Sequence, residues 1–263
     1  MTSTSVGMRC PECAGEKTRV VNPVGAPGRS DAPATYALIA ICVLAYVAEL
    51  AGGGGLGGAG SGTATEEGGL FAYGLNSSGE AIGVAFGQPY RLVTAAFLHA
   101  GLIHIGFNMF ALYILGTLLE PAIGTARFVG IYAVSVLSGS FLVMVMDPEQ
   151  LTVGASGGVF GLMAAAFLIA RDRGLDELAS QIGFFVVINL VITFSVNNIS
   201  IGGHIGGLIG GAVAALVVNM LDRSRVPNAK TVEYGVLLAL CVATFVGGIL
   251  AAEASVPAAL NSR

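Results

Sequence analysis

The chain reads as a succession of long apolar runs broken by short polar, glycine-rich or arginine-bearing stretches. Each run holds about 18 to 22 mainly apolar residues, enough for one helix to cross a hydrocarbon layer about 30 Å thick. They fall at approximately 34–51, 102–121, 126–146, 154–170, 181–200, 203–221 and 232–252. The pattern predicts an all-α, polytopic membrane protein of seven spans. The first run begins after some thirty residues and reads as a retained signal anchor rather than a cleaved peptide.

Composition agrees with that class. The 263 residues are 54% hydrophobic and only 11% charged, with mean hydropathy +0.80, whereas soluble domains carry about a quarter charged residues. A net charge of -4 and the lack of a dense basic run give no basis for a nucleic-acid partner.

Lys and Arg set an orientation. Arg9, Lys17, Arg19 and Arg29 precede the first span; Arg127 follows the second, Arg171 and Arg173 the fourth, and Arg223, Arg225 and Lys230 the sixth. Only Arg91 and Arg263 fall on the alternate connections. Basic residues favour the cytoplasmic side, so the N-terminus is expected inside and the C-terminus outside, in the cell membrane. The outer side then owns the one long connection, 52–101. It begins with the flexible Gly52–Gly62 stretch and ends in a segment, Gln88–His99, apolar enough to dip into the outer leaflet.

Orientation gives the polar residues a depth. Spans two, four and six run from outside to inside, and His104, Ser156 and His204 each lie in the first turn or so of one of them. Asn108 follows His104 by four residues and shares its face. Three helices thus bring Ser, His, His and Asn to one layer. Gly157, Gly161 and Ala165 in span four, and Gly203, Gly207 and Gly211 in span six with Gly202, Gly206 and Gly210 beside them, form small-residue ridges that let membrane helices approach closely.

That layer has the chemistry of acyl transfer. A serine needs a base to take its proton, and neutral imidazole suits that role; the oxyanion that follows needs donors placed in advance. His104, Asn108 and the N–H groups of Ala155 and Ser156 at a helix start are candidates. No Asp or Glu lies in the layer, so the arrangement is a Ser–His dyad without an orienting acid. Phe160, four residues after Ser156, could hold the His204 ring by packing on it.

Plainer readings of the same residues compete with this one. A serine among membrane glycines is commonly a packing device, and Gly154–Gly158 also satisfies G-x-S-x-G, but that elbow needs a strand, a turn and a helix in a doubly wound sheet, which flanking spans exclude. A three-histidine metal site lacks both an HExxH motif and an intramembrane Asp partner. Glu49 and Glu120 read most simply as packing or snorkelling residues. Cys42 and Cys241 read as small core residues. Cys10 and Cys13 form a CxxC, but a structural zinc site needs four ligands and no second pair completes it. The reading is a redox-inert tail, with zinc shared by self-association as the alternative.

The motifs resemble those of the rhomboid intramembrane serine proteases. Gly154-Ala155-Ser156-Gly157 followed by Phe160 is similar to their GxSG…F/Y motif, His99 to Asn108 to their second-span signature, Gly203-His204-Ile205-Gly206-Gly207 to their sixth-span motif, Tyr90-Arg91 to the aromatic-Arg pair of their first loop, and Glu120 to their acidic residue near the inner end of span two. The resemblance covers about 34–221. It implies Ser156 as nucleophile, His204 as base, and His104, Asn108 and the Ser156 N–H as oxyanion donors, with Gly154, Gly157 and Phe160 in support and His99 and Arg91 as structural or loop-anchoring residues. Tyr90 stands where Trp is frequent and Phe160 where Tyr is frequent.

The expected organisation is a cytoplasmic tail (1–33), a six-helix rhomboid-like core (34–221), and a connection, seventh span and outer tail (222–263). The expected function is endoproteolysis, without cofactor or metal, of single-span membrane proteins near the outer face of the bilayer. By resemblance, the substrates carry small residues at the cut and helix-destabilising residues further in. A catalytically silent, client-binding relative is the alternative, and loss of Ser or His would mark it. A solute channel or transporter would show inverted repeats, and no clear internal repeat is present.

Overall fold

A computed structural model describes residues 2–4, 7–9, 32–53, 55, 63–197 and 199–261; Cys10 and Cys13 lie outside them. The chain forms two compact units, Met1–Ser30 and Asp31–Arg263. The first contains an antiparallel pair, β1 (Thr2–Thr4) and β2 (Gly7–Arg9).

The second unit holds seven long helices: α1 (Pro33–Ala51), α2 (Leu102–Ile123), α3 (Thr125–Met146), α4 (Ser156–Asp172), α5 (Asp176–Ser195), α6 (Ile201–Arg223) and α7 (Ala229–Ser255). Six are long and apolar enough to cross a membrane by length and composition. The exception is α4, whose 17 residues span about 25 Å. Eleven residues of α4 are buried, against three of the twenty in α5, so α4 is the centre of the bundle and α5 its edge.

Local chemistry sets the helix ends. Pro33 starts α1 in the first turn, where its missing N–H costs nothing. Gly124, at φ +90°, separates α2 from α3, and Gly174, at φ +70°, follows α4; both are backbone conformations that side chains disfavour. The Ser200 hydroxyl accepts the Gly203 N–H at 3.1 Å and caps α6. This cap corrects the fifth span, placed at 181–200 from its apolar content: α5 covers Asp176–Ser195, and Ser200 belongs to the start of α6.

α6 lies between α3 and α4 and uses one glycine ridge for each. A Cβ on Gly207 would meet the backbone of Gly157, and one on Gly211 that of Gly161; on the other ridge, Gly202 and Gly206 face the backbone of α3 at Leu142 and Ser138. α7 packs on the far side of α3. Leu237 sits against Gly130, and Gly248 against Leu92 of the long connection.

At the end where α2, α4 and α6 finish, charge joins the helices. Arg127 donates to Glu233 at 2.7 Å and 2.8 Å and to Asp222 at 3.0 Å, tying α3 to α7 and α6. Arg173 donates to the Ala122 carbonyl at 3.0 Å. The two glutamates read as packing or snorkelling residues are buried acceptors instead. Glu120 takes the N–H groups of Ala34 and Thr35 at 3.0 Å and 2.9 Å, together with the hydroxyls of Thr35 and Thr125, both at 2.8 Å. It thereby satisfies the start of α1, whose first N–H groups have no intrahelical carbonyl. Glu49 accepts from the Thr65 hydroxyl and the His99 N–H. Glu120→Ala would strand the buried N–H and hydroxyl of Thr35, each costly to leave unpaired, and is expected to lower stability by about 3 kcal/mol. Thermal unfolding in detergent micelles measures this, with Glu120→Gln retaining part of the loss.

Candidate active site

From Thr63 onward the connection from α1 to α2 forms a folded scaffold. β3 (Gly74–Leu75) and β4 (Ala81–Ile82) form a small hairpin, and short helical turns follow at Val84–Phe86, Arg91–Thr94 and Ala95–Phe97. Arg91 is buried at the centre. Its guanidinium donates to the Gly69 carbonyl at 2.6 Å and to Gln88 Oε1 at 2.7 Å, and lies 4.3 Å from the centre of the Phe71 ring. The Ser140 hydroxyl of α3 donates to the Leu92 carbonyl at 2.7 Å. The Gly154 N–H reaches the Ala95 carbonyl at 2.9 Å, so this scaffold also fixes the approach to α4.

Gly154 has φ +130°, a conformation open to glycine that turns the chain into α4. Ser156 is the first residue of α4 and His204 the fourth of α6. Their side chains meet: Ser156 Oγ lies 2.8 Å from His204 Nε2. The Phe160 ring, one turn along α4, stacks on the imidazole with centroids 4.2 Å apart and planes 20° from parallel. On the other edge of the imidazole, Nδ1 is 2.7 Å from the Thr193 hydroxyl of α5. Sequence reasoning did not reach Thr193; its signal was a polar residue four positions after Asn189 near the end of an apolar run.

His104 approaches from α2. Its Nδ1 accepts the Ala100 N–H at 3.3 Å, which places the ring proton on Nε2. A methyl-sized point beside Gly154 lies 2.8 Å from His104 Nε2 and 3.6 Å from Ser156 Oγ. The two atoms therefore face a common space that Gly154 leaves open by having no side chain. Asn108 is buried and spends one N–H on the His104 carbonyl at 3.0 Å. Ser156, Gly157 and Gly158 begin a helix, so their N–H groups have no carbonyl four residues back within it. A cavity of about 30 Å³ adjoins Ser156, lined by Ala95, Gly139, Val143, Gly157 and Gly203 among others.

His99 stands behind this group, edge-on to His104 at 5.2 Å, and does not touch the serine pair. Its Nδ1–H donates to the Phe97 carbonyl at 3.2 Å. Burial pushes its imidazole down to about 4, with the neighbouring His104 adding to the effect, so it is neutral at pH 7.

A hydroxyl at hydrogen-bond distance from an imidazole can pass it a proton on attacking a carbonyl. Fold and site together define a multi-pass α-helical membrane protein with a Ser–His pair inside its bundle. Residues 86–220 match the Rhomboid domain, and the chain belongs to the rhomboid family. It is 34% identical over 212 residues to Rhomboid protease GluP of Bacillus subtilis strain 168, a match covering 79% of this chain and 39% of that protein. Rhomboid-like protease 1 of Toxoplasma gondii is 34% identical over 170 residues, 60% of this chain and 58% of the relative. RHOMBOID-like protein 6, mitochondrial, of Arabidopsis thaliana is 44% identical over 78 residues, 30% of this chain and 25% of the relative. The match spans less than two thirds of each of these relatives' lengths.

Proposed function

We propose that the protein is an intramembrane serine endopeptidase that cuts single-span membrane proteins near the outer face of the cell membrane. The carrying observation is the 2.8 Å contact between Ser156 Oγ and His204 Nε2, two groups that are costly to hold within membrane spans without a use. His204 takes the Ser156 proton as Oγ attacks the scissile carbonyl. The Ser156 N–H, His104 Nε2–H and the free N–H of Asn108 receive the oxyanion. The imidazolium then protonates the leaving amine, and water repeats the steps on the acyl-enzyme. Gly154 and Gly157 keep side chains out of this space, and Phe160 steadies the base.

The narrow cavity beside Ser156 supports a small residue at the cut, since it has room for a water or two. A helix-destabilising residue further along the substrate would free the scissile carbonyl from intrahelical bonding. Arg127, Arg173 and Arg223 lie at the helix ends opposite Ser156, which supports a cytoplasmic N-terminus and a site facing outward.

Purified protein with a labelled transmembrane substrate tests the reading. Wild type is expected to cleave and Ser156→Ala to be silent; equal cleavage by both would overturn it. Phe160→Ala is expected to lower kcat about tenfold, the upper end of what an aromatic pair contributes, and Phe160→Tyr to leave it within about twofold of wild type. Initial rates at saturating substrate measure both.

A further inference from the structure

We infer that Thr193 of α5 is a positioning residue for His204, fixing its tautomer and ring orientation in place of an acid; the inference rests on the proteolytic reading above. Threonines and serines in helices commonly turn their hydroxyl back to the carbonyl four residues earlier. Ser135, Thr117, Ser180 and Thr244 do so in this chain. Thr193 also does so, donating to the Asn189 carbonyl at 2.7 Å. What distinguishes it is the second contact, 2.7 Å to His204 Nδ1.

A hydroxyl has one hydrogen. With that hydrogen on the Asn189 carbonyl, Thr193 Oγ1 can only accept, so His204 must carry its proton on Nδ1 and donate it to Thr193. Neutral imidazole has one N–H, and Nε2 is therefore left with a lone pair directed at the Ser156 hydroxyl. The Asn189 carbonyl, Thr193 and His204 thus form one directional line of hydrogen bonds ending on the serine. When the imidazole takes the serine proton, Nδ1–H keeps its acceptor and the new charge is stabilised.

Burial favours the same reading. α5 has only three buried residues, Ala179, Ile182 and Thr193. Ala179 and Ile182 belong to its first turns, while Phe184, Phe185, Val187, Val191 and Phe194 face outward. Thr193, 2% exposed, is the residue that α5 buries beyond Ile182, and it is a polar residue set against the imidazole. Packing alone would be served as well by valine, which has the same shape without an acceptor.

The test compares Thr193→Val, Thr193→Ser and Thr193→Ala in the full-length protein. The readouts are kcat and KM for a transmembrane substrate, and the rate at which a small fluorophosphonate modifies the protein. Thr193→Val is expected to lower kcat about 10- to 100-fold with KM within about twofold, and to slow phosphonylation by a similar factor. Thr193→Ser, which restores the acceptor, is expected to recover activity to within about threefold. Wild-type kinetics in Thr193→Val, or no recovery in Thr193→Ser, would overturn the inference. If Thr193→Val does not stay monodisperse, Thr193→Ala decides: activity equal to that of Thr193→Ser overturns the inference, and a drop in kcat at constant KM supports it. Failure of the proteolytic reading is a separate outcome, in which wild type neither cleaves nor is phosphonylated.

Discussion

Ser156→Ala and His204→Ala are each expected to lower kcat for cleavage of a transmembrane substrate by about 10⁴-fold or more, and the double variant no further. The lack of additivity is the informative part. In the proposed mechanism His204 acts on substrate through the Ser156 proton, across a single 2.8 Å contact, so removing either partner removes the function of both. Two residues contributing separately would give losses that multiply. Substrate binding should survive, because neither side chain has to hold the rest of a membrane-spanning substrate; KM, or direct binding to Ser156→Ala, is expected to stay within about threefold of wild type. The double-mutant comparison at saturating substrate separates the two cases.

Gly207→Val is expected to destabilise the bundle by about 3 kcal/mol or more and to lower activity at least about 100-fold in the protein that still folds. At this position α6 meets the backbone of Gly157 with no room for a Cβ. The neighbour is main chain, which no change of rotamer can move aside, so the helices must separate. Ser156 is the residue before Gly157 and His204 is three residues before Gly207, so separation acts directly on the reacting pair. Gly235→Ala on α7 is the control. A Cβ there has open space, and alanine favours a helix by about 1 kcal/mol, so stability should hold or rise. Thermal unfolding and cleavage rate, read on the same preparations, test both variants.

The sequence made the all-helical membrane fold legible because long apolar runs leave few alternatives. The ridge through Gly157 and Gly161 and the one through Gly203 and Gly207 could be paired from spacing alone. The i, i+4 placement of Phe160 relative to Ser156 likewise anticipated a ring on the His204 face. The remainder depended on contacts between distant parts of the chain. Glu120 finds Thr35 at a separation of 85 residues, and nothing around Glu120 reveals that the start of α1 will need an acceptor there. Glu49 is joined to the His99 N–H across 50 residues in the same way. Thr193 escaped for two physical reasons: apolar content does not mark where a membrane helix stops, which shifted the fifth span by five residues, and a helical threonine has a ready local partner of its own. Arg91 was marked as structural or loop-anchoring by resemblance alone, and the Gly69 and Leu92 contacts of its surroundings stayed hidden because they run to main-chain carbonyls, which carry no sequence signal.

In the proposed mechanism His204 makes the Ser156 hydroxyl a nucleophile. Peptide mass mapping after exposure of the full-length protein, reconstituted in liposomes, to a fluorophosphonate tests it most directly, because the reagent reports the activated oxygen itself. A stoichiometric adduct on Ser156, absent in His204→Ala and matched by loss of cleavage, is the expected result. Cleavage that persists in the fully modified protein, or equal modification of Ser156 in His204→Ala, would contradict it.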